Sequence, residues 1–400
     1  MKFENVYIPY GGYWSSPFSR WQGSFANSHP ILLAADVTLR ALKERQIASD
    51  TFDSLVLGMT VPQKHSFFGG PWLAALIGSP AITGPVVSQA CATGAQVIAS
   101  SGMQVEVGGS QAVLGIALDR CSNGPHVYYP NPLGTGGRGE TEEWVWDNFN
   151  FDPYARNAMI QTAENVAKEG GFTTEQQNDM MLLRFSQYQD ALKDDGWFHK
   201  RFMITPVEVK DASGRKVLAT VKDDEGVFPT TKEGLARLKP VLEGGTITFG
   251  GQTFPADGNA GMLLTTREKA RELSRDAKIT VQLIAAGTAR AKKGYMAQAP
   301  VPAAQRALES AGLAIKDMRA IKTHNPFAVN DLYFCAEMGV KPEAMNHFGS
   351  SLIFGHPQGP TGMRLVVELI EELAMVGGGY GLFSGCAAGD TGMACIVKVN

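Results

Sequence analysis

The cysteine at position 91 has the sequence surroundings of a nucleophile. It stands in the segment 87–94, VSQACATG, where a short apolar strand is expected to run into the cysteine and a helix to leave it. A sulfur at a helix N-terminus is favoured as thiolate by the helix dipole. The small neighbours Ala90, Ala92 and Gly94 let a substrate approach closely. The alternative is a buried structural cysteine, which is the commoner role of a single cysteine.

Three further segments place a histidine or a cysteine where a strand ends or a loop turns. They are KTHNPF at 322–327, with His324; FGHPQGPTG at 354–362, with His356; and SGCAAGDTG at 384–392, with Cys386. Strand ends and loops are the usual position of catalytic groups in layered α/β proteins. Together the four residues could provide a nucleophile, a base, a second thiol for proton transfer and a hydrogen-bond donor. Each segment alone also fits a structural role, such as a capping loop with an incidental histidine.

The elements that must position these groups alternate between strand and helix in two parts of the chain. The alternation over residues 5–120 and 251–400 predicts a layered α/β fold. The predicted strands include 54–58, 85–88, 111–117, 279–287, 318–323, 379–384 and 393–399, and the predicted helices include 30–45, 92–102, 302–312 and 359–376. Between the two parts, residues 121–250 are rich in turns and contain two predicted helices, 153–168 and 174–193. We interpret this segment as an inserted subdomain that could cover a site.

The composition excludes several classes of protein. The 400 residues are 44% apolar and 19% charged, with 36 Lys and Arg against 39 Asp and Glu, which is globular and gives no basic field for nucleic acid or a membrane surface. The five cysteines are widely spread without a Cys-x-x-Cys pair, which argues against a disulfide framework and a structural zinc site. Residues 1–5 do not resemble a secretory signal, so none is expected, and no apolar run reaches the roughly 18 residues that a membrane helix needs. These features predict a cytoplasmic protein.

The four segments, in this order, resemble the motifs of the thiolase family over nearly the whole chain. CATG at 91–94 is similar to the Cys-x-Ser-Gly turn of thiolases, residues 355–362 to Gly-His-Pro-x-Gly-x-x-Gly, and residues 386–392 to Cys-x-Gly-Gly-x-x-Gly. Further landmarks of the family are similar to residues 16–18, 162–165, 235–240 and 256–258. Ketosynthases share the cysteine turn but have a different segment where Cys386 stands, so they fit less well.

The resemblance implies the thiolase fold, an α/β fold of two duplicated βαβαβαββ halves in a layered α-β-α-β-α arrangement with an inserted loop subdomain. The predicted boundaries are 1–120 plus 251–275 for the N-terminal half, 121–250 for the loop subdomain and 276–400 for the C-terminal half. The family also implies a homodimeric core.

The resemblance further implies a two-stage Claisen exchange on acyl-CoA, with coenzyme A as co-substrate and neither a permanently bound cofactor nor a metal. Cys91 becomes acylated by a 3-oxoacyl-CoA, His356 accepts its proton, and Cys386 protonates the departing enolate. The backbone N–H groups of Cys91 and Ala388 form the oxyanion hole. Substrate and CoA contacts are expected at Met159, Thr253 and Phe327.

The chain departs from the family pattern at two places near the expected site. HNPF at 324–327 stands where most thiolases have Asn-Glu-Ala-Phe, so His324 is expected to donate directly to the enolate oxygen. Ala158 stands where short-chain thiolases have a histidine in the substrate channel. These departures favour a bulky, branched or aromatic acyl group. A third departure is Val227, which stands where several relatives have a basic residue for the adenine end of CoA. The weaker hold on CoA raises the alternative of a hetero-complex with a small zinc-ribbon/OB-fold partner, as in benzoylsuccinyl-CoA thiolases.

Two other functions stay open at this point. The altered HNPF segment is compatible with a non-catalytic scaffold that binds acyl-CoA without turnover. A condensing enzyme with a malonyl donor is the other possibility, and Cys386 argues against it because decarboxylating relatives usually have histidines at that position.

Overall fold

A mixed eleven-stranded sheet forms the centre of the protein in a computed structural model that describes residues 1–211 and 213–400. Its strands are β1 (Tyr7–Ile8), β2 (Tyr13–Ser15), β3 (Ser19–Arg20), β4 (Ser54–Gly58), β5 (Val86–Val87), β6 (Ala112–Arg120), β11 (Ala256–Thr265), β12 (Val281–Arg290), β13 (Met318–His324), β14 (Gly379–Ala387) and β15 (Thr391–Val399). Two small hairpins lie outside it, β7 (His126–Tyr129) with β8 (Glu140–Glu143), and β9 (Val207–Lys210) with β10 (Val217–Val221).

The helices that cover or separate the strands come from the predicted segments and from the insertion. They are α1 (Pro30–Glu44), α2 (Gly69–Leu76), α3 (Thr93–Glu106), α4 (Trp146–Asn150), α5 (Met159–Gly170), α6 (Thr174–Gly196), α7 (Lys232–Ala236), α8 (Arg267–Leu273), α9 (Pro300–Ala311), α10 (Ala328–Met338), α11 (Ser351–Phe354) and α12 (Gly359–Met375). In the described part of the chain, no helix combines the length and the apolar character that crossing a bilayer requires.

The two halves of the sheet repeat one strand order, which confirms the predicted duplication. In the first half β4 is parallel to β6, β6 is antiparallel to β11, and β11 is antiparallel to β1. The second half repeats these directions: β13 is parallel to β14, β14 is antiparallel to β15, and β15 is antiparallel to β12. Strand β1 also pairs with β12 and so joins the halves.

Helices α3 and α12 pack against each other between the two half-sheets, while α1 and α9 cover the outer faces. This is the expected five-layer arrangement. The N-termini of α3 and α12 come very close, since a Cβ added at Gly94 would lie 2.6 Å from the backbone oxygen of Gly359. Only glycine permits this approach, which brings the segments that carry Cys91 and His356 together.

Helix α12 is buried along most of its length although it carries several ionised side chains. Arg364 makes two 2.7 Å hydrogen bonds to Asp224 and one of 3.0 Å to Glu368, and Glu371 accepts a 2.7 Å bond from Arg201. Buried charges are tolerated when they are paired in this way. Asp224 and Arg201 belong to the inserted segment, so these ion pairs attach the insertion to the helix that follows His356.

One predicted helix begins later than expected. The helix predicted from residue 153 begins at Met159, because Asp152 accepts hydrogen bonds from the backbone N–H groups of Tyr154 and Ala155 at 2.7 and 2.8 Å. A side chain that bonds to the following backbone in this way competes with helix formation. Arg156 then adopts a positive φ of 58°, and the helix starts only after this turn.

Candidate active site

The four predicted catalytic side chains converge where the two halves of the fold meet. Cys91 precedes α3, His324 ends β13, His356 lies in the loop before α12, and Cys386 lies near the end of β14. One donor atom each from Cys91, His324 and His356 lies within 4.8 Å of the other two. The rings of the two histidines are 4.1 Å apart between centroids. A charge on Cys91 contributes to the raised pKa of Cys386, so the second thiol is also nearby.

A strained turn holds Cys91 just before the start of α3. Ala90 adopts a positive φ of 44°, which is costly for a residue with a Cβ and is found where the surrounding structure imposes it. Thr93 stabilises the turn, because its Oγ1 accepts a 2.7 Å hydrogen bond from the backbone of Gln89 and donates one of 2.7 Å to the carbonyl of Ala90. The sulfur is thereby fixed at the place where substrate must arrive.

The resting Cys91 is a thiol, which corrects the thiolate expected from the helix dipole. Burial raises its pKa to about 12, although the backbone N–H groups of Ala388 and of Cys91 itself, which lie at the sulfur, act in the opposite direction. The desolvation of an anion outweighs the dipole here. Attack by this sulfur therefore needs a base, and the two N–H groups predicted as oxyanion donors do lie beside it.

The two histidines are neutral and each leaves one ring nitrogen free. His324 Nδ1 lies 2.8 Å from Ser351 Oγ, and His356 Nδ1 lies 2.8 Å from Thr361 Oγ1. Both Nε2 atoms are buried and have no protein partner. Burial lowers the pKa of His324 to about 3, and burial together with His324 lowers that of His356 well below 6.5. The free Nε2 atoms are therefore available to a proton, a substrate oxygen or another ligand.

Ser351 is a residue of this site that the sequence did not reveal. Besides its bond to His324, its Oγ accepts from the backbone N–H of Asn325 at 3.3 Å and lies 3.2 Å from the Asn325 side-chain oxygen. Asn325 in turn donates a 2.7 Å bond to Asp331, which makes a buried 2.8 Å ion pair with Arg184 of α6. A continuous buried network thus fixes the position of the His324 ring.

Asp119, at the end of β6, was also missed. Its carboxyl group accepts hydrogen bonds from the backbone N–H groups of Thr60, Val61 and Gly359 at 2.7–2.8 Å. Burial raises its pKa to about 7. The bond to Gly359 holds the first turn of α12, and with it the His356 loop, against β6. An acidic residue that ends the apolar run 112–118 was the available signal.

Asn330 completes the surroundings of Cys386. Its side-chain nitrogen donates to Cys386 Sγ at 3.4 Å. Burial raises the pKa of Cys386 well above its usual value, while this bond acts in the opposite direction. Asn330 lies in the first turn of α10, directly after HNPF, and this position was the only sequence signal for it.

The predicted substrate contacts lie around this centre. Phe327 and Cys386 belong to one buried apolar cluster, against which Met159 packs. Thr253 donates its backbone N–H to the carbonyl of Pro326 at 2.7 Å and its hydroxyl to the carbonyl of Ser351 at 2.5 Å. Thr253 therefore links the segments of Pro326 and Ser351 through its backbone N–H and its hydroxyl group.

An apolar groove of about 230 Å³ opens between residues 226–238 of the insertion and residues 249–254. Phe228 and Phe249 line it and are 68% and 72% exposed. Phe254, in its wall, accepts a 2.9 Å hydrogen bond from the backbone N–H of His356. The groove therefore leads toward the loop that carries His356.

The chain matches family models over nearly its full length. Residues 14–268 match the thiolase N-terminal domain and residues 277–399 the thiolase C-terminal domain. A beta-ketothiolase of Cupriavidus necator is 31% identical over 384 residues, covering 94% of this chain and 95% of the relative. The mitochondrial 3-ketoacyl-CoA thiolase of Bos taurus is 28% identical over 397 residues, covering 96% of each protein.

Solved structures of thiolases have the same fold as this chain. The acetyl-CoA acetyltransferase of Bacillus anthracis superposes with a TM-score of 0.90 at 27% identity, covering all of both chains. Human mitochondrial 3-ketoacyl-CoA thiolase in complex with CoA superposes with a TM-score of 0.88 at 23% identity, covering 99% and 98% of the chains, and supports the fold.

The layered duplicated fold is that of the thiolases, and the chain belongs to the thiolase family. It is an acyltransferase, and the reaction of its class is CoA-dependent thiolytic cleavage or the reverse condensation.

Proposed function

We propose that the protein exchanges acyl groups between a 3-oxoacyl-CoA and coenzyme A through an acyl-Cys91 intermediate. The observation that carries this proposal is the arrangement at Cys91: a half-buried thiol, two backbone N–H groups at its sulfur, and a ring nitrogen of neutral His356, whose Nε2 is free, within 4.8 Å. A thiol with a pKa near 12 is inert until a base takes its proton. His356 can serve as this base because its low pKa keeps it unprotonated at neutral pH.

In the first half-reaction the Cys91 proton passes to His356 Nε2 as the sulfur attacks the 3-keto carbon. The bond between C2 and C3 of the substrate then breaks, leaving the shortened acyl group as a thioester on Cys91 and the enolate of acetyl-CoA. Cys386 delivers its proton to the enolate carbon and remains as a thiolate. In the second half-reaction the CoA thiol gives its proton to Cys386 and attacks the acyl carbonyl, and Cys91 leaves and regains its proton from His356.

His324 stabilises the enolate oxygen in the first half-reaction if its Nε2 carries a proton. This requires Nδ1 to accept a hydrogen bond, and Ser351 Oγ lies 2.8 Å away as the donor. The other acceptor open to that hydroxyl, the side-chain oxygen of Asn325, lies farther away at 3.2 Å and already receives the backbone N–H of Leu352. Ser351 therefore favours the tautomer of His324 that donates to substrate.

The acyl group that we propose is bulky, branched or aromatic. Support comes from HNPF at 324–327, from Ala158 at the start of α5, and from the apolar cluster that Met159 and Phe327 form beside Cys386. The CoA moiety is proposed to enter along the groove beside residues 226–238, with CoA as co-substrate and no resident cofactor.

A homodimer is the proposed assembly. β5 pairs with β4 alone and forms one edge of the sheet, and Val86 on this edge is 45% exposed. An apolar sheet edge of this kind is normally paired or covered. A small zinc-ribbon/OB-fold partner subunit, as in a benzoylsuccinyl-CoA thiolase, is the alternative assembly, and the protein is proposed to work in the cytoplasm.

The test is acylation of Cys91 followed by turnover. Purified protein incubated with an acyl-CoA is expected to gain the mass of one acyl group on the peptide that contains Cys91, and to consume a 3-oxoacyl-CoA when CoA is added. Cys91→Ser abolishes both signals, while Cys121→Ser leaves both. Full activity of Cys91→Ser would overturn the proposal. Binding of acyl-CoA without acylation of Cys91 would favour the non-catalytic scaffold, and use of malonyl-CoA as donor would favour the condensing enzyme.

A further inference from the structure

The active site contains an unusual combination of ligand atoms, one sulfur and two unpartnered imidazole nitrogens. The donors of Cys91, His324 and His356 lie within 4.8 Å of one another. Because both Nδ1 atoms are bonded to hydroxyl groups, the nitrogens left free are the buried Nε2 atoms. Each Nε2 offers a lone pair when the proton of its ring is on Nδ1, so two buried, unpartnered nitrogens beside a thiol point to a ligand that accepts electron pairs.

We propose that Cys91, His324 and His356 bind one Zn²⁺ ion and that the bound ion inhibits the enzyme. One thiolate and two neutral imidazoles form a donor set that Zn²⁺ takes readily, with a fourth position open to water. Zn–S and Zn–N bonds of about 2.3 and 2.0–2.1 Å place tetrahedral ligands about 3.5 Å apart, so the donors need to close by little more than about 1 Å. The ion can enter because Cys91 is partly exposed.

The surroundings of the three residues fit this ligand. A metal-bound histidine normally donates its other ring N–H to a nearby acceptor, which fixes the ring. Thr361 Oγ1 is positioned to accept from His356 Nδ1 at 2.8 Å. Ser351 Oγ, which donates to His324 Nδ1 in the catalytic tautomer, accepts from it in the metal-bound tautomer and then donates to Asn325 Oδ1 at 3.2 Å. Binding transfers the thiol proton of Cys91 to solvent and forms an S–Zn bond, with no change in oxidation state. The overall charge of the centre rises by one unit, and Asp119 is a nearby carboxyl group.

A second cluster, His199 with Asp223 and Asp224, has the same spacing between donors, but its carboxylates and His199 Nδ1 are already paired, which leaves only His199 Nε2 without a partner. Both oxygens of Asp224 are held by Arg364 at 2.7 Å, and His199 Nδ1 lies 2.9 Å from Asp223. A metal ion there would have to displace a buried ion pair. The active-site cluster is therefore the one that we assign.

Inhibition by zinc follows from the proposed function, whereas binding does not depend on it. The ion takes the sulfur that attacks substrate and the nitrogen that accepts its proton. Acyl-CoA and Zn²⁺ should thus compete for Cys91, and a chelator should restore activity. The zinc site and the acyl exchange through Cys91 can therefore be refuted independently of each other.

Co²⁺ titration of the full chain in thiol-free buffer tests the assignment, since a thiolate–Co²⁺ bond gives a charge-transfer band in the near ultraviolet. Wild-type protein is expected to bind one Co²⁺ with this band, and Zn²⁺ should displace it. His324→Asn should weaken binding by more than about tenfold, because even loss of a residue that supports a metal-bound histidine costs about 10- to 100-fold. Cys91→Ser should remove the band.

His126→Asn is the matched control, because His126 is exposed on β7, and it should bind Co²⁺ like wild type. Wild-type protein acylated on Cys91 should lose the band, which tests the site without a variant that could misfold. A wild-type protein without the band, or one whose binding survives either His324→Asn or acylation, overturns the metal site. A protein that binds Co²⁺ but is never acylated instead overturns the proposed function.

Discussion

Replacing Ser351 by alanine removes the hydroxyl that holds the His324 ring, together with its two longer hydrogen bonds to Asn325 at 3.3 and 3.2 Å. The lost partner is the hydroxyl 2.8 Å from His324 Nδ1. In the variant this nitrogen lies buried without a partner, which costs about 1–3 kcal/mol, and the tautomer that donates from Nε2 is no longer favoured. Since about 1.4 kcal/mol corresponds to a tenfold change in rate, the step that needs this donor should slow by about 5- to 150-fold.

The affected step can be isolated by the choice of acyl donor. Acylation of Cys91 by a 3-oxoacyl-CoA releases an enolate and uses His324. Acylation by a simple acyl-CoA passes only through the intermediate held by the N–H groups of Cys91 and Ala388. Rapid-quench mass spectrometry of Cys91 should therefore show a slower reaction of Ser351→Ala with the first donor and an unchanged rate with the second.

Ser350→Ala provides the matched control. Ser350 is adjacent and equally buried, and its hydroxyl has no hydrogen-bond partner, so this variant should keep both rates. Equal slowing of the two acylation reactions in Ser351→Ala, or a wild-type rate with the 3-oxoacyl-CoA, would refute the role assigned to Ser351.

Three further predictions concern protons and stability. The kcat/KM for thiolysis should stay level from about pH 6.5 to 9, because the pKa of His356 lies below this range and that of Cys91 above it; a decline between pH 8 and 7 in initial-rate measurements would contradict this. Asn330→Ala removes the hydrogen bond to Cys386 and should slow deuterium exchange at the α-carbon of acetyl-CoA, followed by NMR, by about tenfold; an unchanged exchange rate would count against it. Asp119→Ala leaves three backbone N–H groups unpaired. The free energy of unfolding measured in urea should fall by about 3–5 kcal/mol. A loss below about 1 kcal/mol would show instead that water replaces the carboxyl group.

The order of strands and helices and the positions of the reactive residues were predictable because they depend on local sequence. Apolar runs and glycine-rich turns mark the ends of β13 and β14 and the start of α3, and each of those places carries a reactive residue. The fold was confirmed in its duplicated, layered form. The boundaries of the three proposed segments and the roles of the site residues stay predictions.

The residues that support the site were not predictable, because their contacts join distant parts of the chain. Ser351 meets His324 across 27 positions and Asp119 meets Gly359 across 240, and no local pattern encodes such pairs. The protonation of Cys91 was predicted wrongly for a related reason. The sequence shows that a helix follows the cysteine, but the degree of burial depends on the whole fold.

The ion pairs between α12 and the insertion limit how this enzyme can be redesigned. An engineer who wishes to change substrate range would exchange residues 121–250 for the corresponding segment of a relative. Such a transplant must bring its own equivalents of Asp224 and Arg201, or Arg364 and Glu371 each lose an ion-pair partner and keep only Glu368 and Arg275 as charged partners, at a cost of several kcal/mol. The insertion and α12 therefore form one unit of exchange, and a chimera that keeps both from the same parent has the better prospect of folding.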